Sequence, residues 1–141
     1  MTIGFLDSSY VVALHSTRDQ NRRRAEVHWK SAKAPMPLVT TSYVLDEIVT
    51  HLNSHNCHDR AVEVGLHLQR SASVELIHVD RPLFDSAWDY FVRHADKRYS
   101  LTDCISFVVM QRRGLRQALT FDQHFQQAGF ECLPAMGSAS S

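Results

Sequence analysis

Features that would form disulfides or cross a membrane are scarce in this sequence. It contains three scattered cysteines, Cys57, Cys104 and Cys132. An odd, scattered set argues against a disulfide framework and is typical of a reducing compartment. No run approaches the roughly 18 apolar residues of a membrane span, and the first residues lack the basic and apolar regions of a signal peptide. We therefore expect a cytoplasmic protein with no membrane partner.

The sequence also lacks an excess of charge of either sign, since it has 15 basic and 15 acidic residues. Overall charge therefore neither supports nor excludes a nucleic-acid partner. Gly and Pro are few, and 44% of the 141 residues are hydrophobic. This composition predicts one domain with its own core over residues 1–134. The small, polar residues 135–141 are expected to form a disordered tail.

Strands and helices alternate in the hydrophobic pattern of the chain. The predicted strands are Ile3–Leu6, Leu38–Thr40, Val74–Val79, Gln117–Phe121 and Phe130–Leu133. The predicted helices are Ser8–His15, Asp19–Lys33, Ser42–Asn53, Asp59–Arg70, Pro82–His94, Leu101–Arg113 and Gln123–Ala128. This alternation predicts an α/β fold with a central parallel sheet of four to five short strands flanked by helices.

Two acidic residues are predicted at the carboxyl ends of strands, where a parallel sheet binds its ligands, and two others lie on helices. Asp7 and Asp122 directly follow predicted strands, Asp103 lies in the first turn of a helix, and Glu47 lies within another. Carboxylates gathered at one point repel one another unless a cation lies between them. Mg²⁺ and Mn²⁺ prefer such oxygen ligands and support phosphodiester hydrolysis.

These acids also have purely structural explanations. The aspartates that follow strands are good helix N-caps, and Asp103 forms with Ser100 a pattern similar to a capping box. The helical pattern does not separate Glu47 from its neighbour Asp46, because both flank the apolar stripe. Asp80 also follows a predicted strand. Spacing alone therefore leaves the membership of the acidic site open.

Taken together, four segments of the chain resemble the PIN domain, and especially the stand-alone VapC-type toxins of bacterial and archaeal toxin–antitoxin pairs. The resemblance extends to about Leu133 and is carried by Phe5–Leu14, Val39–Leu52, Tyr99–Met110 and Ala118–Phe125, with Ala128–Phe130 following. One such segment would be weak support, whereas four acids in their expected contexts are specific.

The resemblance implies a sheet flanked by helices and a Mg²⁺- or Mn²⁺-dependent endoribonuclease. It also implies a site in which four residues are both catalytic and metal-binding, namely Asp7, Glu47, Asp103 and Asp122. It favours Glu47 over Asp46 and gives Asp80 no role. The partners that it implies are an RNA substrate, a separate antitoxin protein and a second copy of the chain in a homodimer.

Substrate binding is predicted for three residues that precede Asp103 in the chain, namely Lys97, Arg98 and Thr102. Lys97 and Arg98 could contact RNA phosphates, although exposed basic residues are often only solvated. The Thr102 hydroxyl could hold a water or a phosphate oxygen, with a helix-terminus hydrogen bond as the simpler explanation. Tyr99 either stacks on a base or packs in the core.

A histidine cluster next to Cys57 has the spacing of some zinc sites, because His51 and His55 lie four residues apart and His58 follows. The sequence fixes no partner carboxylate for it. We therefore interpret this cluster as a solvated or dimer-contact surface.

Two further functions remain open. One is a non-catalytic PIN module that binds RNA or a protein. The other is a small-molecule phosphohydrolase with Asp7 as its nucleophile, which nothing else in the chain supports.

Overall fold

Five short strands form one parallel sheet in the computed structural model, which describes residues 2–135. They are β1 (Gly4–Leu6), β2 (Leu38–Thr41), β3 (Val74–Ile77), β4 (Gln117–Leu119) and β5 (Glu131–Leu133). Their order across the sheet is β3-β2-β1-β4-β5, and every neighbouring pair is parallel. The α/β class and the parallel sheet predicted from the sequence are confirmed.

Seven helices connect the strands: α1 (Ser8–His15), α2 (Arg22–Lys30), α3 (Ser42–Ser54), α4 (His58–Arg70), α5 (Arg81–Arg93), α6 (Leu101–Arg113) and α7 (Gln123–Gln127). Helix α1 packs against α2 and α3, and α3 packs against α4, whereas α6 packs against α5 and α7. Because parallel crossovers are right-handed, these two groups cover opposite faces of the sheet. Eight consecutive residues of α6, Asp103–Met110, are buried, so this helix lies deep in the protein.

The predicted bounds differ from the structure by two or three residues at four places, since α2 also ends at Lys30 rather than Lys33 and β3 ends at Ile77 rather than Val79. Two of these differences have a local cause. Helix α2 begins at Arg22 rather than Asp19, because the Asp19 carboxylate accepts a bond from the Asn21 backbone N–H and forms a turn. Strand β4 ends at Leu119 rather than Phe121, because the Phe121 N–H donates to the Ser9 hydroxyl instead of joining the sheet. Both differences are local, and the second one lies in the candidate site.

The strand order reverses between β1 and β4, since the chain moves outward through β2 and β3 on one side and through β5 on the other. Ligands of such sheets bind at the carboxyl ends of the strands at this reversal. Asp7 follows β1 directly, and the segment 120–122 follows β4. The fold therefore brings two of the predicted acids to one crevice.

Two further expectations concern the chain as a whole. In the part of the chain that the structure describes, no helix has the length and apolar character needed to cross a membrane. The three cysteines are all unpaired, as their scattered positions predicted. The predicted tail lies outside the described residues from position 136 onward.

Candidate active site

The carboxylate of Asp7 is buried at the reversal point of the sheet. Its residue is 4% exposed, and its Oδ2 accepts hydrogen bonds of 2.7 Å from the hydroxyls of Ser9 and Thr120. Although Asp7 occupies the N-cap position of α1, its side chain makes no cap hydrogen bond. The capping explanation is therefore wrong for this residue.

Burial raises the pKa of Asp7 from 3.8 to about 7. The two hydroxyl donors lower the pKa, and the negative charges of Asp103 and Asp122 raise it further. A carboxylate held in this way is far less stable in its ionised form than one in water. A bound cation would offset that penalty.

Glu47 faces the same crevice from the middle of α3. Its Oε1 accepts a 2.8 Å bond from the hydroxyl of Ser8, the residue after Asp7. Burial raises the pKa of Glu47, and the charges of Asp103 and Asp122 raise it as well. Its neighbour Asp46 is exposed and accepts a bond from Thr50 on the same helix.

Asp103 combines a structural and a site position. It forms a capping box with Ser100, in which the Asp103 N–H donates to Ser100 Oγ at 2.9 Å and the Ser100 N–H donates to Asp103 Oδ2 at 3.1 Å. Burial and the neighbouring charge of Asp122 raise the pKa of Asp103. The capping and site interpretations thus describe the same side chain.

Asp122 joins the site at the start of α7. Its Oδ1 accepts the backbone N–H of His124 at 2.9 Å, which caps this short helix. The backbone N–H of Asp122 donates to the hydroxyl of Thr120 at 2.9 Å. Because the same hydroxyl donates to Asp7, Thr120 connects the acid that follows β1 with the acid that follows β4.

The four acids therefore border one crevice, in which Asp103 and Asp122 lie close together and Asp7 and Glu47 lie farther from them. Asp103 and Asp122 place ligand atoms within 4.8 Å of each other and of an imidazole nitrogen of His124. The same two negative charges act on both Asp7 and Glu47. Such a set of hard oxygen donors fits a divalent cation of the Mg²⁺ or Mn²⁺ type.

Several polar residues of this crevice were not predicted as site residues. His124 lies with its Nδ1 3.0 Å from Asp103 Oδ2 and 3.4 Å from Asp122 Oδ1. Thr120, Ser8 and Ser9 supply the hydroxyl donors. The only sequence signal was position, because each lies within two residues of a predicted acid.

Asp80, the acid that spacing alone left open, has a structural role. Its Oδ1 accepts the backbone N–H of Leu83 at 3.0 Å and caps α5. Asp80 therefore behaves as an ordinary helix cap.

The predicted substrate-binding residues lie in the segment of the chain that leads to Asp103. Lys97 and Arg98 are exposed in the turn after α5, where Lys97 makes a 3.8 Å contact with Asp96. Thr102 is half-buried in the first turn of α6. Tyr99 is only 5% exposed and packs against Phe107, so the base-stacking interpretation of Tyr99 is wrong.

The histidine cluster at the end of α3 forms no metal site among residues 2–135. The rings of His51 and His55 stack at 4.3 Å, and His55 Nδ1 is 2.8 Å from the His51 carbonyl oxygen. His58 Nδ1 lies 2.9 Å from the side-chain oxygen of Asn53. Their contacts are those of a solvated surface.

The chain is similar to known proteins over most of its length. A family model described as the PIN domain matches residues 4–131. The 23S rRNA-specific endonuclease VapC20 of Mycobacterium tuberculosis is 36% identical over 126 residues, which span 89% of this chain and 94% of that protein.

Solved structures extend the similarity to the fold. The crystal structure of Mycobacterium tuberculosis VapC20, described as a sarcin-ricin loop cleaving toxin, matches with a TM-score of 0.82 and 35% identity over 92% of this chain and 96% of that chain. A toxin–antitoxin complex from Klebsiella pneumoniae matches in fold, with a TM-score of 0.59 and 13% identity over 85% and 87% of the two chains. The family match includes all four acidic positions.

Proposed function

The chain belongs to the PIN domain family, and on that premise we propose that it is a metal-dependent endoribonuclease that acts as the toxin of a type II toxin–antitoxin pair. The observation that carries the proposal is the convergence of four carboxylates at the reversal point of the sheet. Two of them, with His124, place ligand atoms within 4.8 Å. The other two, Asp7 and Glu47, have pKa values raised by those same charges.

The metal proposal is supported by the chemistry of these donors. Four acids close together repel one another, and the buried Asp7 has a pKa of about 7. A divalent cation held by Asp7, Glu47, Asp103 and Asp122 would remove that repulsion. When bound, Mg²⁺ or Mn²⁺ activates a water and neutralises charge that develops on the scissile phosphate.

The protein's own residues position this chemistry. The hydroxyls of Ser9 and Thr120 fix the Asp7 carboxylate from two sides, and Ser8 fixes that of Glu47. The capping bonds of Asp103 and Asp122 orient the remaining two carboxylates. Each of the four carboxylates thus accepts hydrogen bonds from the protein itself, so the site is arranged before a cation or the substrate binds.

We expect the substrate to approach along the turn that precedes α6. Lys97 and Arg98 are exposed there and would bind RNA phosphates, while the Thr102 hydroxyl would bind a phosphate oxygen or a water next to Asp103. Replacing Lys97 and Arg98 by Ser should weaken RNA binding in a gel-shift assay and reduce its salt dependence. Unchanged binding would refute these contacts.

The similarity to VapC20 supports ribosomal RNA as the substrate class, since that relative is described as acting on 23S rRNA. The same relative is described as a toxin, which supports an antitoxin as the physiological partner. We further propose a homodimer and a cytoplasmic location, as the family resemblance and the unpaired cysteines indicate.

The proposal is tested by cleavage of purified ribosomes and rRNA, with end mapping of the products, in EDTA and after addition of Mn²⁺. Glu47→Gln should reduce the cleavage rate at least about 100-fold. Asp46→Asn is the matched control, because it removes the same charge from the adjacent exposed residue and should change the rate less than about twofold.

Cleavage that survives Glu47→Gln, or that is lost equally in Asp46→Asn, would refute the assignment of this site. RNA that is bound but never cut, in any divalent cation, would instead identify a non-catalytic PIN module.

A further inference from the structure

We propose that His124 is a nitrogen ligand of the divalent cation and makes the site prefer Mn²⁺ to Mg²⁺. The inference rests on the proposed function, because it concerns the same crevice. It adds a residue that the four-acid site does not include. It also predicts a metal selectivity that carboxylates alone would not produce.

The first support is geometric. Two ligands at about 2.1 Å from one ion lie at most about 4.2 Å apart. His124 Nδ1 lies 3.0 Å from Asp103 Oδ2 and 3.4 Å from Asp122 Oδ1, within that limit. The ligand atoms of the three side chains all lie within 4.8 Å of one another. For Nδ1 to bind the cation it must be the unprotonated nitrogen of the neutral ring, with the hydrogen on Nε2, so the cation would take the place of the Nδ1 hydrogen that the Asp103 carboxylate accepts.

The second support is that the imidazole is fixed in place. The backbone N–H of His124 donates to the Asp122 carboxylate, which sets the start of α7. On the other side the ring packs edge-on against Tyr99, with centroids 5.4 Å apart and planes at 76°. The His124 side chain is 29% exposed, so an ion and its waters can reach it.

The third support is ligand chemistry. Mg²⁺ binds oxygen ligands and gives up its waters reluctantly. Mn²⁺ also favours oxygen ligands, but as a first-row transition metal it accepts an imidazole nitrogen more readily than Mg²⁺ does. An additional imidazole nitrogen therefore stabilises bound Mn²⁺ more than bound Mg²⁺. A cluster of carboxylates without His124 would distinguish the two ions less.

The competing explanation is that His124 only positions Asp103 through their hydrogen bond. In that case its loss would weaken every cation by a similar factor. His124→Asn separates the two roles, because an amide N–H can donate to Asp103 as the imidazole does but offers no imidazole nitrogen. His94→Asn is the control, since His94 also packs near Tyr99 but bonds to the Tyr90 carbonyl oxygen rather than to an acid.

The experiment uses the full chain loaded with Mn²⁺. Pulsed electron paramagnetic resonance should detect imidazole-nitrogen coupling to Mn²⁺ in the parent and in His94→Asn, and no such coupling in His124→Asn. Calorimetric titration of His124→Asn should show a loss of at least about 10-fold in Mn²⁺ affinity and of less than about 3-fold in Mg²⁺ affinity.

Nitrogen coupling that persists in His124→Asn, its absence from the parent, or an equal loss of affinity for both ions would overturn the inference. Asp103→Asn distinguishes this failure from that of the proposed function. If Mn²⁺ binds the parent and Asp103→Asn weakens it, but the nitrogen coupling is missing, only the His124 assignment is wrong. If Asp103→Asn leaves Mn²⁺ binding unchanged, the metal site itself is refuted, and His124 with it.

Discussion

Replacing Asp7 by Asn should make the metal-free protein more stable while abolishing cleavage. Burial raises the pKa of Asp7 from 3.8 to about 7. Each pKa unit corresponds to about 1.36 kcal/mol, so the ionised carboxylate destabilises the metal-free fold by about 4 kcal/mol well above pH 7. Asn is nearly the same shape and carries no charge.

The hydrogen bonds of this carboxylate do not reduce the gain. Ser9 and Thr120 both donate to one oxygen of Asp7, and the Asn amide oxygen can accept both. Their preference for the ionised form is already contained in the pKa of Asp7, which they lower. The expected stabilisation is therefore about 4 kcal/mol well above pH 7. With an unfolding entropy of about 0.3 kcal/mol per kelvin for a chain of this length, Asp7→Asn should raise Tm by about 13 °C.

The pH dependence gives this prediction its sign. The pKa of Asp7 is higher in the folded protein than in the unfolded chain. Asp7 therefore does not oppose folding below its unfolded pKa, and it opposes folding increasingly as pH rises toward its folded pKa. The advantage of Asp7→Asn should thus be largest near about pH 8, fall to about half near about pH 5.5, where the carboxyl is ionised only in the unfolded chain, and vanish below the unfolded pKa of 3.8. Neighbouring acids titrate in both proteins, so the difference between them isolates Asp7 to first order.

The assay is thermal unfolding in EDTA at both pH values, repeated with Mn²⁺. Added Mn²⁺ should stabilise the parent by mass action and the variant much less. The reasoning fails if Asp7→Asn melts below the parent near pH 8 in EDTA, or if its advantage is the same at both pH values.

Three further changes test the rest of the site and fold. Asp103→Asn should melt no lower than the parent in EDTA, because the amide oxygen keeps the capping bond, yet gain less from Mn²⁺; a much lower Tm in EDTA would mean that capping dominates. Thr120→Val should lower the free energy of unfolding by about 1–3 kcal/mol and raise the pKa of Asp7. Urea denaturation in EDTA should therefore show a loss of stability that grows with pH, and a pH-independent loss would contradict the role of this hydroxyl. Gly4→Ala would place a Cβ 2.4 Å from Pro35 Cγ and should cost about 1–3 kcal/mol in urea denaturation with unchanged activity per folded molecule; an unchanged midpoint would refute the close packing.

The elements of this fold were readable because hydrophobic pattern and caps agree locally. Leu101–Arg113 has a helical period, a capping box at Ser100 and a left-handed glycine at position 114, and it forms the helix predicted. The predicted helix start at Asp19 was wrong, because a side-chain turn at this residue competes with the first turn of a helix. The residues permit both local structures, so the hydrophobic pattern alone does not decide between them.

The hydroxyl network of the site was not readable from pattern. Thr120 seemed to belong to a strand, and its donation to Asp7 depends on the register of β1 against β4. The contact of His124 with Asp103 likewise joins side chains of two different helices, α7 and α6. Sequence reasoning finds residues whose position alone implies a sheet edge, and it misses those whose role depends on which elements are neighbours.

The contrast between two strand-end aspartates explains why capping and chemistry could not be separated beforehand. Asp80 caps α5 through the Leu83 N–H, which is the ordinary outcome for such a residue and contributes about 1 kcal/mol. Asp7 holds the same position before α1 but makes no cap bond, because Ser9 and Thr120 hold its carboxylate in the crevice. The fold thus forgoes a cap and tolerates a buried acid with a pKa of about 7. Local rules are broken in this way where function requires it, and a cation bound at the crevice would remove the penalty.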